Sequence, residues 1–198
     1  YSEYRFWHAN NDGFYPNSEE FQHLAREQDD AASAEWLLPV LLFDSDIHSA
    51  AALIDRNLFN DLGGFAEHLP VGEDYSLWLR AAGQLPIVKL NTVGMLYRQN
   101  PEGISRKPSE RAYEYELVHK AIANGPVNTP HSLMPGKVIL KKRLARLAFS
   151  HGWRLADQGN YILARRWFLT SVRHWPMNSK TWLHWARAMA NAAVQRDV

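Results

Sequence analysis

Two adjacent carboxylates, Glu73 and Asp74, stand ten residues after the first glycine of Gly63-Gly64-Phe65 and open the run Glu73-Asp74-Tyr75-Ser76-Leu77-Trp78-Leu79-Arg80. A permissive glycine pair, an aromatic anchor and paired acids can hold one carboxylate at the rim of a cleft. Held there, a carboxylate acts as a general base, taking the proton of a hydroxyl as that oxygen becomes a nucleophile. The same residues also suit a plainer task. In the first turn of a helix, orphan N–H groups and the helix dipole favour negative charge by about 0.3 to 1 kcal/mol. Residue type and spacing leave both readings open.

The elements that would position these acids are partly written in the pattern. Tyr75, Trp78, Leu79 and Ala82 recur at i, i+3, i+4 and i+7, which predicts a helix beginning at the acids and stopping at Gly83. Tyr1 to Trp7 reads as a strand and Asn10-Asn11-Asp12-Gly13 as a turn. A polar helix is expected over Ser18 to Glu27, and Ser33 is a candidate N-cap for a helix running to Leu42, kinked or interrupted at Pro39. Ser49 to Ile54 is strand-like, and Ile87 to Leu90 and Val93 to Tyr97 read as two further strands.

The run from Ile47 to Ser105 resembles the C-terminal half of a family-2 glycosyltransferase catalytic domain. The resemblance rests on Leu53-Ile54-Asp55-Arg56, Gly63-Gly64-Phe65, Glu73-Asp74 with the helix behind it, and Leu96-Tyr97-Arg98, in that order and spacing. It implies an α/β fold, an incomplete GT-A domain of the nucleotide-diphospho-sugar transferase type, and an inverting transfer in which Asp74 is the general base. Glu73, Gly64, Phe65, Arg98 and His48 are the implied substrate-side residues. By the same resemblance, the donor-binding strands and the metal-binding Asp-x-Asp precede the point at which this chain starts. A nucleotide-sugar donor, a glycan, lipid-linked or protein acceptor and a divalent metal, Mg or Mn, are therefore expected of the intact enzyme, with no metal ligand identified in this chain and the chain alone inactive.

Several residues invite over-reading. Asp44-Ser45-Asp46 has the form of an Asp-x-Asp metal motif. It stands only about twenty residues ahead of the glycine pair, whereas the family's motif lies much further upstream, so loop or capping aspartates are expected instead. Relatives continue from the Tyr97-Arg98 stretch toward a histidine, and Gln99 and Asn100 occupy those positions here. An amide is the weaker metal ligand. Arg98 suits a phosphate or an acceptor through its guanidinium fork, or a structural ion pair, and His48 suits a substrate contact or an ordinary hydrogen bond.

Composition bounds the rest. The 198 residues, 46% of them hydrophobic, suffice for a substantial core, and the absence of cysteine excludes disulfides and thiolate metal sites. The longest apolar run, Trp36 to Phe43, is too short to span a bilayer, so a cytoplasmic or peripheral membrane protein is expected. The near-neutral total conceals a polar division: twelve Lys or Arg face two Asp from Ala121 onward, and ten face nineteen acids before it. Glycine and proline between Asn124 and Gly136 suggest a linker. Domains of 1–120 and 121–198 follow from this.

The basic part resembles a tetratricopeptide repeat from about residue 145. Gly152, Gly159-Asn160-Tyr161, Ala164, Phe168 and Pro176 fall at the repeat's spacings, and Trp182 lies 34 residues after Ala148. Five of the eight tryptophans lie in this extension, where stacking helices need large apolar side chains. Lys137, Lys141-Lys142-Arg143 and Arg146 form a cluster suited to a membrane surface or an acidic protein. Nucleic acid is not expected, because no base-reading motif is present and the acidic front half repels phosphate. A non-catalytic scaffold that binds protein through its helical tail is the competing reading.

Overall fold

The structure, a computed structural model, describes residues 1–7, 17, 32–98 and 109–194. The expected turn at Asn10 to Gly13, the expected helix at Ser18 to Glu27, and Gln99 and Asn100 lie outside the described residues. The fold is mixed α/β, with a small three-stranded sheet and mostly helices. It divides into two compact units, residues 1–107 with 125–134, and residues 108–124 with 135–198.

In the first unit the strands β1 (Ser2–Trp7), β2 (Ser33–Glu35) and β3 (Ile87–Arg98) are ordered β1-β3-β2. β1 runs parallel to β3, with Tyr4 opposite Met95 and Phe6 opposite Tyr97, and β2 runs antiparallel to its start, with Ala34 opposite Val88. The two strands expected between Ile87 and Tyr97 are thus one. Its first residues serve β2, and irregularities in the β1 register absorb the polar Asn91-Thr92 step.

Among the described residues of this unit, three helices accompany the sheet: α1 (Leu38–Leu41), α2 (Arg56–Asp61) and α3 (Glu73–Gln84). Ser33 begins a strand, not a helix, since the backbone of 33–35 finds partners along β3. Pro39 sits in the first turn of α1, where a fixed φ and a missing N–H cost nothing, so it opens a helix and does not kink one. Ser49 to Ala51 is a single 3-10 turn closed by an Ala51 N–H to His48 carbonyl bond of 2.9 Å, in place of the expected strand. Asp55 caps α2 by accepting from the amides of Asn57 and Leu58 at 2.9 and 3.0 Å.

Gly83 does not stop α3. It is buried inside the last turn, and Leu85 is the C-cap. The carbonyls left without intrahelical partners at that end are met from far along the chain. Gly83 accepts from the amides of Val127, Asn128 and Thr129, Ala82 accepts from the Thr129 hydroxyl at 3.0 Å, and Gln84 accepts from Asn128 Nδ2 at 2.8 Å. These bonds satisfy the orphan groups of a helix terminus and attach 125–134 to the first unit. The core around α3 contains Leu38, Leu41, Leu42, Ile47, Leu77 and Ala82.

The second unit holds α4 (Tyr113–Asn124), α5 (Lys137–Asp157), α6 (Tyr161–His174) and α7 (Ser179–Val194). The expected boundary at 120 falls inside α4, which continues the helix past the change of charge and groups with α5 to α7. α5 and α6 are antiparallel, since the Ser171 hydroxyl donates to the Ala145 carbonyl at 2.7 Å and Gly152 faces Phe168 and Ala164. Leu155, Ala164, Phe168 and Ala188 form the core that joins α5, α6 and α7.

Candidate functional site

The glycine pair ends α2. The Gly63 amide donates to Asn60 at 2.8 Å and the Gly64 amide to Phe59 at 2.9 Å, with φ of +77° and +66°, a left-handed backbone that glycine adopts without steric cost. Phe65 leaves this turn half exposed and packs edge-on against Phe59, ring centroids 5.3 Å apart.

Arg80, two turns into α3, fastens the turn to the helix that carries the acids. Its Nη1 donates to the Leu62 carbonyl, its Nη2 to the Gly64 carbonyl at 2.7 Å, and its Nε to Ser76 of its own helix at 3.1 Å. Burial holds the guanidinium somewhat below its usual pKa. Sequence reading left Arg80 without a task, because its carbonyl partners lie 16 and 18 positions back along the chain.

At the other end of α3, Gly72 at φ +84° is the N-cap and Glu73 and Asp74 occupy the first turn. Both readings of Asp74 meet here. Its Oδ1 accepts from the Tyr75 amide at 2.7 Å, which is a terminus role, and its Oδ2 accepts from the Ser49 hydroxyl at 3.0 Å. Glu73 is half-buried and has no ion pair among the described residues. Tyr75 secures the turn from beneath by donating its hydroxyl to the Leu41 carbonyl. Ser49 is a contact that sequence reasoning missed, because it lies 25 residues away within a segment read as strand.

His48 precedes Ser49 and is enclosed by aromatic rings. Its centroid lies 4.3 Å from that of Tyr4 and 4.9 Å from that of Tyr97, and Phe6 packs edge-on against both tyrosines. Arg98 follows at the exposed end of β3, opposite Trp7 of β1. The structure therefore joins Gly64 and Phe65 to α3 through Arg80, and His48 to Asp74 through the neighbouring Ser49.

Asp46 belongs to a different place. With Tyr1, Tyr4, Phe6 and Lys89 it lines a cleft of about 330 Å³ along β1. Tyr1 donates its hydroxyl to Asp46 at 3.5 Å, and burial together with that carboxylate pushes the Tyr1 phenol up to about 12. Among the described residues no group of three or more His, Asp or Glu side chains is arranged to hold a metal ion, and Asp44 and Asp46 supply only two exposed carboxylates. Comparison with family models, curated proteins and solved structures found no match for this chain.

Proposed function

We propose that this chain carries the acceptor side of an inverting glycosyltransferase with a GT-A type domain, and that Asp74 is its general base. The observation that carries the reading is the Arg80 fork. It ties the glycine turn to the helix whose first turn carries the carboxylate pair, which is the kind of positioning a reacting centre needs. The Ser49 hydroxyl at 3.0 Å from Asp74 Oδ2 lies within the 2.6 to 3.2 Å reach that proton transfer from a hydroxyl demands. An acceptor hydroxyl taking up that position would lose its proton to Oδ2 as its oxygen bonds to the anomeric carbon and the nucleoside diphosphate departs from the opposite face. Glu73, Phe65, His48 and Arg98 are assigned to acceptor and phosphate contacts.

The test is Asp74→Asn in the enzyme that carries this segment. Loss of one base predicts a fall in transfer of about 10²- to 10⁴-fold with an unchanged thermal midpoint. Turnover near wild type in that variant removes Asp74 from the role.

A second reading, a protein-binding scaffold, is favoured by the helical unit. Phe149, Trp153, Arg154 and His184 line a broad groove of about 680 Å³, with the His184 ring 4.9 Å from that of Trp153. The same substitution separates the two readings, since a scaffold is indifferent to Asp74→Asn.

A further inference from the structure

The cationic cluster at the start of α5 is not the one the sequence suggests. Arg143 is buried and its Nη2 pairs with Glu114 at 2.7 Å, so it serves the fold of the helical unit. Lys137, Lys141, Lys142 and Arg146 stay exposed, with no acidic partner among the described residues. Two aliphatic residues stand exposed among them, Val138 at 56% and Ile139 at 52% of full exposure. Lys142 Nζ lies 4.6 Å over the ring of Trp175, and Met177, two residues further on, is 80% exposed.

Helix stability does not account for this arrangement. The first turn of α5 contains no acid, and Lys137 stands at the terminus where the helix dipole disfavours cations. Packing does not fully account for it either, because Val138 and Ile139 keep about half of their surface exposed and Met177 most of it. Exposed aliphatic side chains, lysines long enough to reach headgroups, and a tryptophan at the boundary between polar and apolar surroundings are the chemistry of an interfacial contact.

We propose that the start of α5 and the α6–α7 turn form a docking surface for an anionic lipid bilayer, with Val138, Ile139 and Met177 entering the headgroup region and Lys137, Lys141, Lys142 and Arg146 holding lipid phosphates or carboxylates. The aliphatic residues favour lipid over an acidic protein, since they stand exposed at a helix start among the cations. This surface is independent of the assignment of Asp74.

The experiment is co-sedimentation of the 198-residue chain with vesicles of phosphatidylcholine alone and of equimolar phosphatidylcholine and phosphatidylserine. The chain is expected to bind only the latter and to be released as salt screens the charges. Lys141→Ala with Lys142→Ala should weaken binding about 30-fold, from about 1 kcal/mol for each lysine at an anionic surface. Val138→Ser with Ile139→Ser should weaken it as well, with helicity by circular dichroism unchanged in both variants. Absence of binding to the serine-lipid vesicles, equal binding to both compositions, or indifference to either pair of substitutions overturns the proposal. So does binding to soluble polyglutamate without binding to vesicles, which would assign the cations to an acidic protein. The wild-type salt titration decides the electrostatic part without any variant.

Discussion

Asp74 and Arg80 divide the work of α3 at the scale of single residues. Asp74 keeps one oxygen on the Tyr75 amide and the other on the Ser49 hydroxyl, so both ends of its half-buried carboxylate are held. Arg80 has the opposite character, with all its recorded bonds going to backbone carbonyls. Arg80→Ala leaves the Leu62 and Gly64 carbonyls without their donor, and loss of such partners costs about 1 to 3 kcal/mol. Urea unfolding of the first unit should show that loss. Arg80→Lys should recover only part of it, because an ammonium cannot span two carbonyls as a planar fork does. Full stability in Arg80→Ala would show that the glycine turn holds itself. The motif order was legible in the sequence, and the physical link between its parts was not, since a guanidinium reaching back from residue 80 to residue 62 leaves no periodic trace.

Elements formed where the local pattern had little competition. The helix from Glu73 follows an apolar stripe that tertiary packing reinforced, and the repeat-like helices follow theirs. Gly152 shows the tightest fit in the second unit. A Cβ there would meet the Phe168 ring at 3.1 Å and the Ala164 carbonyl at 3.2 Å, so α5 and α6 approach as closely as they do because the side chain is hydrogen. Gly152→Val should destabilise the helical unit by about 1 to 3 kcal/mol through overpacking, read as a lower thermal midpoint. An unchanged midpoint would mean that α6 can shift outward at no cost. Segments without a strong period went the other way. Ser49 to Ile54 lacked a partner strand and closed a local turn, while Ser33 to Glu35 found one in β3 despite a capping serine.

The whole molecule is two units whose chain segments interleave, and stability should depend on pH chiefly through the helical one. His151 is buried there, and since a carbonyl only accepts, its Nε2 carries the proton donated to Glu110 at 3.0 Å. Its Nδ1 has no hydrogen-bond partner among the described residues, so a second proton would bring an unsatisfied charge into a buried site. Burial therefore lowers the His151 pKa below 6.5, with Arg154 adding to the effect and the Glu110 carbonyl and Glu116 opposing it. His174, bonded to the Tyr115 hydroxyl at 2.8 Å, is lowered by burial and by His119 and Lys141. In the window between the lowered folded values and 6.5, the unfolded chain binds more protons than the folded one. Stability is complete above that window and falls as pH drops through it. The thermal midpoint of the helical unit should decline from about pH 7.5 to about pH 5, and His151→Gln, which retains an N–H for Glu110 but does not titrate, should flatten the decline. An equally steep decline in that variant would place the effect elsewhere. No helix among the described residues is long and apolar enough to cross a membrane, which is compatible with the surface contact proposed for α5.

By itself the sequence determined what depends on near neighbours: the strand at Tyr4, the acids that open α3, the glycine turn after α2, and the apolar faces of α5 and α6. Spacing along one chain is enough to specify those, because the groups involved lie within a few residues of one another. Only the tertiary structure decided what depends on distant partners. Residues 127–129 cap α3 across more than forty positions, Ser49 meets Asp74 across 25, Glu114 removes Arg143 from the exposed cations, and α4 joins the helical unit although its charge resembles the other. Hydrogen-bond satisfaction at helix ends and pairing of buried charge are demands on whatever the fold brings near.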